Sequence, residues 1–234
     1  RDLGDYQKGI EYSQQSLAIA RQIGDRQMEG KALGNLGSAY FDLGDYQKAI
    51  DYHQQSLAVT REIGDRQTEG LLLNNLGLAL QKQGNLVAAE KTLFEGIEVW
   101  ESLREKLGSN DTNKVSIFEQ QSRTYRLLQE VLIAQNKADK ALEISERGRA
   151  RAFVELLARR LSANPAETLP ANFIKPTIEQ IKQIAKIQNA TLVQYSIVYD
   201  YFKIQGKQRT KESELYIWVI KPTGEVAFRK ADLK

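Results

Sequence analysis

The sequence contains no cysteine and, in 234 residues, a single histidine, His53. The first absence excludes disulfides, thiolate metal sites and a cysteine nucleophile. The second excludes a two-histidine metal site or a histidine pair. Long apolar runs are also missing: no stretch reaches the 18 or so residues that read as a membrane-spanning helix. The chain opens on Arg1, Asp2, Leu3 and Gly4, which is neither a signal peptide nor an initiator methionine. The expectation is a piece of a soluble cytoplasmic protein that is not an enzyme, with no catalytic residue, cofactor, metal site or membrane contact. Proline is scarce, with four residues, and three of them fall in SANPAETLPANFIKP (162–176), which reads as a linker.

Apolar residues make up 41% of the chain and charged residues 27%, which is enough for one large or two small cored domains and argues against disorder throughout. The net charge of +3 conceals a division. Residues 1–110 carry 12 Lys+Arg against 16 Asp+Glu, and residues 111–234 carry 21 against 14. Such a division is better read as an architectural boundary than as a nucleic-acid signal.

Self-comparison finds an internal repeat. Asp2–Phe41 returns forty residues later as Asp42–Gln81 with 27 of 40 positions identical, and a fainter third copy begins at Lys82. Each copy reads as two amphipathic helices. Leu33, Leu36, Ala39, Tyr40 and Leu43 recur at three-and-four spacing in one, and Tyr46, Ala49, Ile50, His53 and Leu57 in the next. Gly44 and Asp45, then Gly64 and Asp65, supply the left-handed C-terminal residue and the N-cap that end one helix and start another. Gly37 and Ala49 are small enough to let two helices cross closely.

The order Leu36, Gly37, Tyr40, Gly44, Asp45, Tyr46, Ala49, His53 and Ser56 resembles the tetratricopeptide repeat, and the copy from Asn75 matches through Leu76, Gly77, Gly84, Asn85, Ala89, Leu93 and Gly96. The forty-residue period with IGDRQxEG linkers is similar to the longer repeats of kinesin light chains. After Gly84 the period stretches. A helix runs to about Lys106, a polar loop spans Gly108 to Asn113, a helix covers Val115 to Gln135, and its partner extends from about Ala138 to Leu161. Asn136 aligns there with Gly44 and Gly84, and Ala141 and Gly148 take the small crossing positions.

From Ser162 the texture changes. Thr177 is placed to cap a short helix through Ile187. ATLVQYSIVYDYF, ELYIWVI and VAFRKADL read as strands, and 201–213 as an exposed basic loop between the first two. ALEISERGRARAFVELLARRL, the linker, TLVQYSI and LYIWVIKPTGEV are together similar to the family carrying a CHAT domain, a caspase-like fold frequent in cyanobacteria and other bacteria. Active peptidases of that family use a His and Cys dyad, and neither residue occurs after position 53. The expected fold is mainly α: a tetratricopeptide solenoid, an α–α superhelix, over 1–163. A linker follows at 164–176, then the truncated opening of a CHAT-like α/β segment with a few strands at 177–234.

The resemblance implies a groove lined by the first helix of each repeat, where a partner protein or peptide binds. By that resemblance Asn35 and Asn75 sit where family members hydrogen-bond a ligand's backbone. Lys31, Ser38, Leu71, Asn74 and Leu78 share the face, with Arg123, Arg126 and Glu130 from the third repeat. The alternative for the Asn residues is hydrogen bonding within the array. Arg26 and Arg66, with Glu29 and Glu69 three residues on, read as surface ion pairs of ~0.5 kcal/mol, against a second reading as groove contacts. His53, lone, reads as a packing residue. Arg147, Arg149, Arg151, Arg159 and Arg160 form no stripe at 100° per residue, so no nucleic-acid partner is expected. The function expected is a protein–protein interaction scaffold regulating an attached caspase-like domain. The alternative is the non-catalytic fragment of a bacterial caspase-like cysteine peptidase, and homo-oligomerisation through exposed repeat ends or the sheet edge is a third possibility.

Overall fold

A computed structural model of the chain describes residues 3–106, 111–148, 176–204 and 207–233. Six long helices come first: α1 (Leu3–Ile23), α2 (Arg26–Asp42), α3 (Tyr46–Ile63), α4 (Arg66–Gln83), α5 (Leu86–Lys106) and α6 (Asp111–Ala134). A helical run at 138–148 (α7) and α8 (Ile178–Ile187) lead into three strands, β1 (Leu192–Ile204), β2 (Lys207–Ile220) and β3 (Val226–Asp232). The chain forms two compact units, Arg1–Leu127 and Leu128–Lys234, with the boundary inside α6.

In the first unit consecutive helices pack as hairpins, and the punctuation expected from the sequence sets each turn. Gly44, Gly64 and Gly84 have φ of +82°, +74° and +90°. The next residue donates its N–H back to the carbonyl five residues earlier, as from Asp45 to Tyr40 at 3.0 Å and from Asp65 to Thr60 at 3.2 Å. The Asp25, Asp45 and Asp65 carboxylates then accept from Met28, Lys48 and Thr68 N–H groups, capping the helix that follows.

Packing within a hairpin depends on glycine at two positions seven apart. A Cβ placed on Gly37 would lie 2.6 Å from the His53 ring. On Gly70 it would lie 2.6 Å from Trp100, and on Gly77 2.5 Å from Leu93. His53 is therefore a core residue, wedged between α2 and α3. One core cluster joins Ile10 and Leu17 of α1, Ala32, Leu33 and Leu36 of α2 and Val59 of α3.

Two boundaries differ from expectation. The helix after α5 starts at Asp111, inside the segment read as loop; Asp, Thr and Asn suit a helix's first turn as well as a loop. In the second unit, 201–204 and 207–213 are strand and not loop. β1 and β2 pair from Leu192↔Ile220 to Ile204↔Lys207, with an irregularity between Val198 and Tyr199 after which pairing resumes. The polar composition belongs to the far end of a long hairpin whose strands are separated by only two residues. Asn136 has φ +59°, and Lys137 donates to the Leu132 carbonyl at 2.9 Å, so the turn after α6 repeats the Gly44 and Gly84 turns. Ala141 is fully buried.

The sheet is an antiparallel meander, β1-β2-β3. One face carries Gln194, Val198, Tyr216, Trp218 and Ile220, all buried, while Val193 and Tyr195 on the other are exposed. Helices bind the buried face. Trp218 Nε1 donates to the Ala138 carbonyl at 2.9 Å, Gln194 Nε2 to Ser145 Oγ at 3.0 Å, and the Ile178 N–H, at the start of α8, to Glu143 Oε1 at 2.7 Å. Thr177 caps α8 in a reciprocal box with Gln180. The expectations made for residues 149–175, including Arg149, Arg151, Arg159, Arg160, the ERGRARAF run past Gly148 and most of the linker, lie outside the described residues.

Candidate functional site

The first helix of each hairpin buries one face and leaves another open. On α2, Lys31, Asn35 and Ser38 are exposed at positions i, i+4 and i+7, so they share a stripe, and Ser38 Oγ donates to the Gly34 carbonyl at 3.1 Å. On α4, Leu71 is exposed and Asn74, Asn75 and Leu78 are half-buried, again one stripe. Asn35 and Asn75 occupy the same place in successive copies.

Asn74 differs from Asn75. Its Oδ1 accepts from Thr124 Oγ1 of α6 at 3.2 Å, so it serves packing between α4 and α6. Arg123 is exposed and Arg126 half-buried on α6 in the first unit. Glu130 falls in the second unit, where its charge, after burial and after Glu214, helps push the Tyr216 hydroxyl up. Of the ten residues expected to share a face, the structure aligns Lys31, Asn35 and Ser38 with one another, and Leu71, Asn75 and Leu78 with one another.

The charges along the linkers are more organised than two surface pairs. Glu29 is buried, receives Arg21 Nε at 2.9 Å and pairs with Arg26, which also reaches Glu62 of α3. One copy later Glu69 is buried, receives Arg61 Nε at 2.8 Å and pairs with Arg66, while Arg61 also reaches Glu95 of α5 at 3.1 Å. Arg21 first, then Arg26, holds the Glu29 carboxyl below its ordinary range. The Thr68 N–H, above all, does the same for Asp65, aided by the positive charge of Lys31. Arg26 thus ties α2 to α3 and Arg61 ties α3 to α4 and α5, while Arg66 pairs with Glu69 within α4.

Sequence reasoning missed a buried polar seam between α5 and α6. Tyr125 donates to Glu101 Oε1 at 2.7 Å and Arg104 to Gln121 Oε1 at 3.1 Å, with all four side chains buried. The available signal was Glu101 next to the buried Trp100 and Arg104 one turn beyond it, on a helix that outlasts its predecessors. Among the described residues no group of His, Asp or Glu is arranged to hold a metal ion, and no helix is long and apolar enough to cross a membrane.

Residues 1–62 and 29–102 match the family model described as tetratricopeptide repeat. The chain is 31% identical to mouse tetratricopeptide repeat protein 28 over 144 residues, 62% of this chain and 5% of that protein. It is 30% identical to the human protein of the same name over 153 residues, 65% of this chain and 6% of that protein. The chain thus spans only about a twentieth of the length of these relatives. Among solved structures, BtubC (BKLC) from P. vanneervenii is similar with a TM-score of 0.39 at 18% identity, over 71% of this chain and 79% of that one. Tetratricopeptide repeats generally mediate protein–protein interactions. The turn geometry, the glycine-dependent hairpins and the family match agree, and the helical hairpins of residues 1–102 are tetratricopeptide repeats.

Proposed function

We propose that the chain is a protein-binding scaffold whose recognition surface is the open stripe of α2 and α4, with Asn35 and Asn75 clamping the backbone of a partner polypeptide and Lys31, Ser38, Leu71 and Leu78 flanking them. The supporting observation is that both copies leave an asparagine in the same place on the solvent side of the first helix, although its neighbours Leu36 and Leu76 are buried. An asparagine amide offers a donor and an acceptor together, the complement of a peptide unit. On this reading Arg123 and Arg126 extend the surface, and Asn74 supports it through Thr124.

The second unit lends itself to a regulatory extension of the same proposal. The helical run at 138–148 hydrogen-bonds to the sheet through Ala138 and Ser145 and to α8 through Glu143, so a shift in it is felt by β1, β2 and α8. In a longer protein the sheet is then the opening of a CHAT-like, caspase-like domain whose state the array biases.

The test is a partner recovered by pull-down. The Asn35→Ala/Asn75→Ala double variant should bind it at least about tenfold more weakly, since each asparagine stands for roughly 1 kcal/mol of hydrogen bonding, while its helical circular dichroism stays that of the parent. Unchanged affinity moves the site to another face.

A further inference from the structure

The first helices of successive hairpins meet one another through the same junction twice. A Cβ on Gly34 of α2 would sit 3.6 Å from Leu72 Cδ2 of α4, and at the place of Gly34 in the next copy Asn74 Oδ1 accepts from Thr124 Oγ1 of α6 at 3.2 Å. Leu72 and Thr124 are buried. The residues just before them, Leu71 and Arg123, are exposed, and so is Lys31, which stands as far before Gly34 as Leu71 stands before Asn74. Lys31, Leu71 and Arg123 therefore form one row across α2, α4 and α6: cation, leucine, cation. Packing does not demand the leucine, because lysine holds the same place in the first copy and Leu71 remains 37% exposed. Asn35 and Asn75 lie one turn further along the same two helices. Asp65, whose carboxyl feels the charge of Lys31, already accepts from the Thr68 N–H at 3.0 Å and from Thr68 Oγ1 at 2.7 Å, one on each oxygen.

Given that α2 and α4 carry the recognition surface, we propose that this row selects an extended peptide segment in which a large apolar side chain is flanked by two carboxylates. The apolar side chain lies on Leu71, and Lys31 and Arg123 each meet one acid. Geometry sets the spacing. Packed helices lie about 8–10 Å apart. A polyproline-II segment returns to the same face every third residue, about 9 Å along its axis. The recognised pattern is therefore acid-x-x-apolar-x-x-acid, with Asn35 and Asn75 holding the peptide units between. A β-type segment, whose same-face side chains recur about every 7 Å, falls out of step with the row.

The probe is a random dodecapeptide library displayed on phage and panned against the immobilised full chain. Enriched peptides should share an apolar residue with one acid three positions before it and another three positions after. A second panning uses Lys31→Leu/Leu71→Lys, in which each copy takes the residue that the other copy carries at that place, so its helical circular dichroism should match the parent. There the apolar residue should move to one end of the pattern, with the two acids three positions apart. A synthetic peptide of the parent's consensus should bind Leu71→Lys at least about tenfold more weakly than the parent, the effect of unseating one large apolar side chain. No enriched pattern, or the same pattern from both chains, overturns the proposal. The Asn35→Ala/Asn75→Ala chain separates that failure from failure of the recognition surface itself. Peptides that lack the pattern but are lost with the two asparagines overturn the row and leave the surface in place, whereas peptides that this variant retains overturn both.

Discussion

His53 shows how a single position can be legible in kind but not in consequence. Its place in a helical packing pattern is visible in the sequence, and the structure buries it against Gly37 with Nδ1 lacking a hydrogen-bond partner. Burial pushes the imidazole down to about 4, from an ordinary value of 6.5. The folded state therefore binds the proton less readily than the unfolded state. Stability is complete above about pH 6.5 and is lost as pH falls toward 4. Between pH 7 and pH 5 the loss from this residue amounts to about 2 kcal/mol. His53→Leu isolates it, because Leu93 fills the same position against Gly77 one copy later and shows that leucine fits such a seat. Urea denaturation at the two pH values should show the parent losing about 2 kcal/mol more than His53→Leu, with carboxylates such as Glu29 contributing equally to both. Parallel losses would mean that the imidazole takes up its proton without unfolding. By contrast, the shared helical position of Asn35, which is exposed, and Asn75, which is half-buried, could be read from the sequence because the repeat states it twice.

At the scale of elements, helices and their turns were legible because each boundary is written in local chemistry: Gly then Asp, twice over, and Asn136 standing in for glycine with the same left-handed backbone. The β1–β2 hairpin was not, because Lys207–Glu212 has the composition of a loop and owes its strand conformation to pairing with the Tyr199–Ile204 stretch across the sheet. Burial of Glu29 and Glu69 was equally hidden. A carboxylate in the first turn of a capped helix reads as surface electrostatics, and only the neighbouring helices turn it into a junction. That junction has an asymmetry that can be measured. The Glu69 side chain is 4% exposed whereas those of Arg61 and Arg66 are nearly half exposed. Glu69→Ala leaves two guanidiniums without their shared partner and should destabilise the array by about 2 kcal/mol. Arg66→Ala leaves Glu69 still held by Arg61 and should cost less than about 1 kcal/mol. Equal losses in urea midpoint for the two variants would assign the effect to individual pairs instead of to the shared carboxylate.

For the molecule as a whole, the chain falls into two compact units, helical hairpins in Arg1–Leu127 and helices with a sheet in Leu128–Lys234. By the accident of composition each unit holds one of the chain's two tryptophans. Trp100 is buried on α5 over Gly70, and Trp218 is buried in β2, where its Nε1–H meets the Ala138 carbonyl and its ring lies edge-on to Tyr216. Trp218→Phe leaves fluorescence from the hairpins alone, and Trp100→Phe leaves fluorescence from the sheet alone. Hairpin arrays owe their stability to nearest-neighbour contacts along the stack, whereas a three-stranded sheet with Val193 and Tyr195 open on one face rests on a single buried layer. The two should respond differently to urea, with the Trp218 signal changing at lower denaturant than the Trp100 signal. Coincident curves for the two single-tryptophan chains would overturn the expectation of separate transitions.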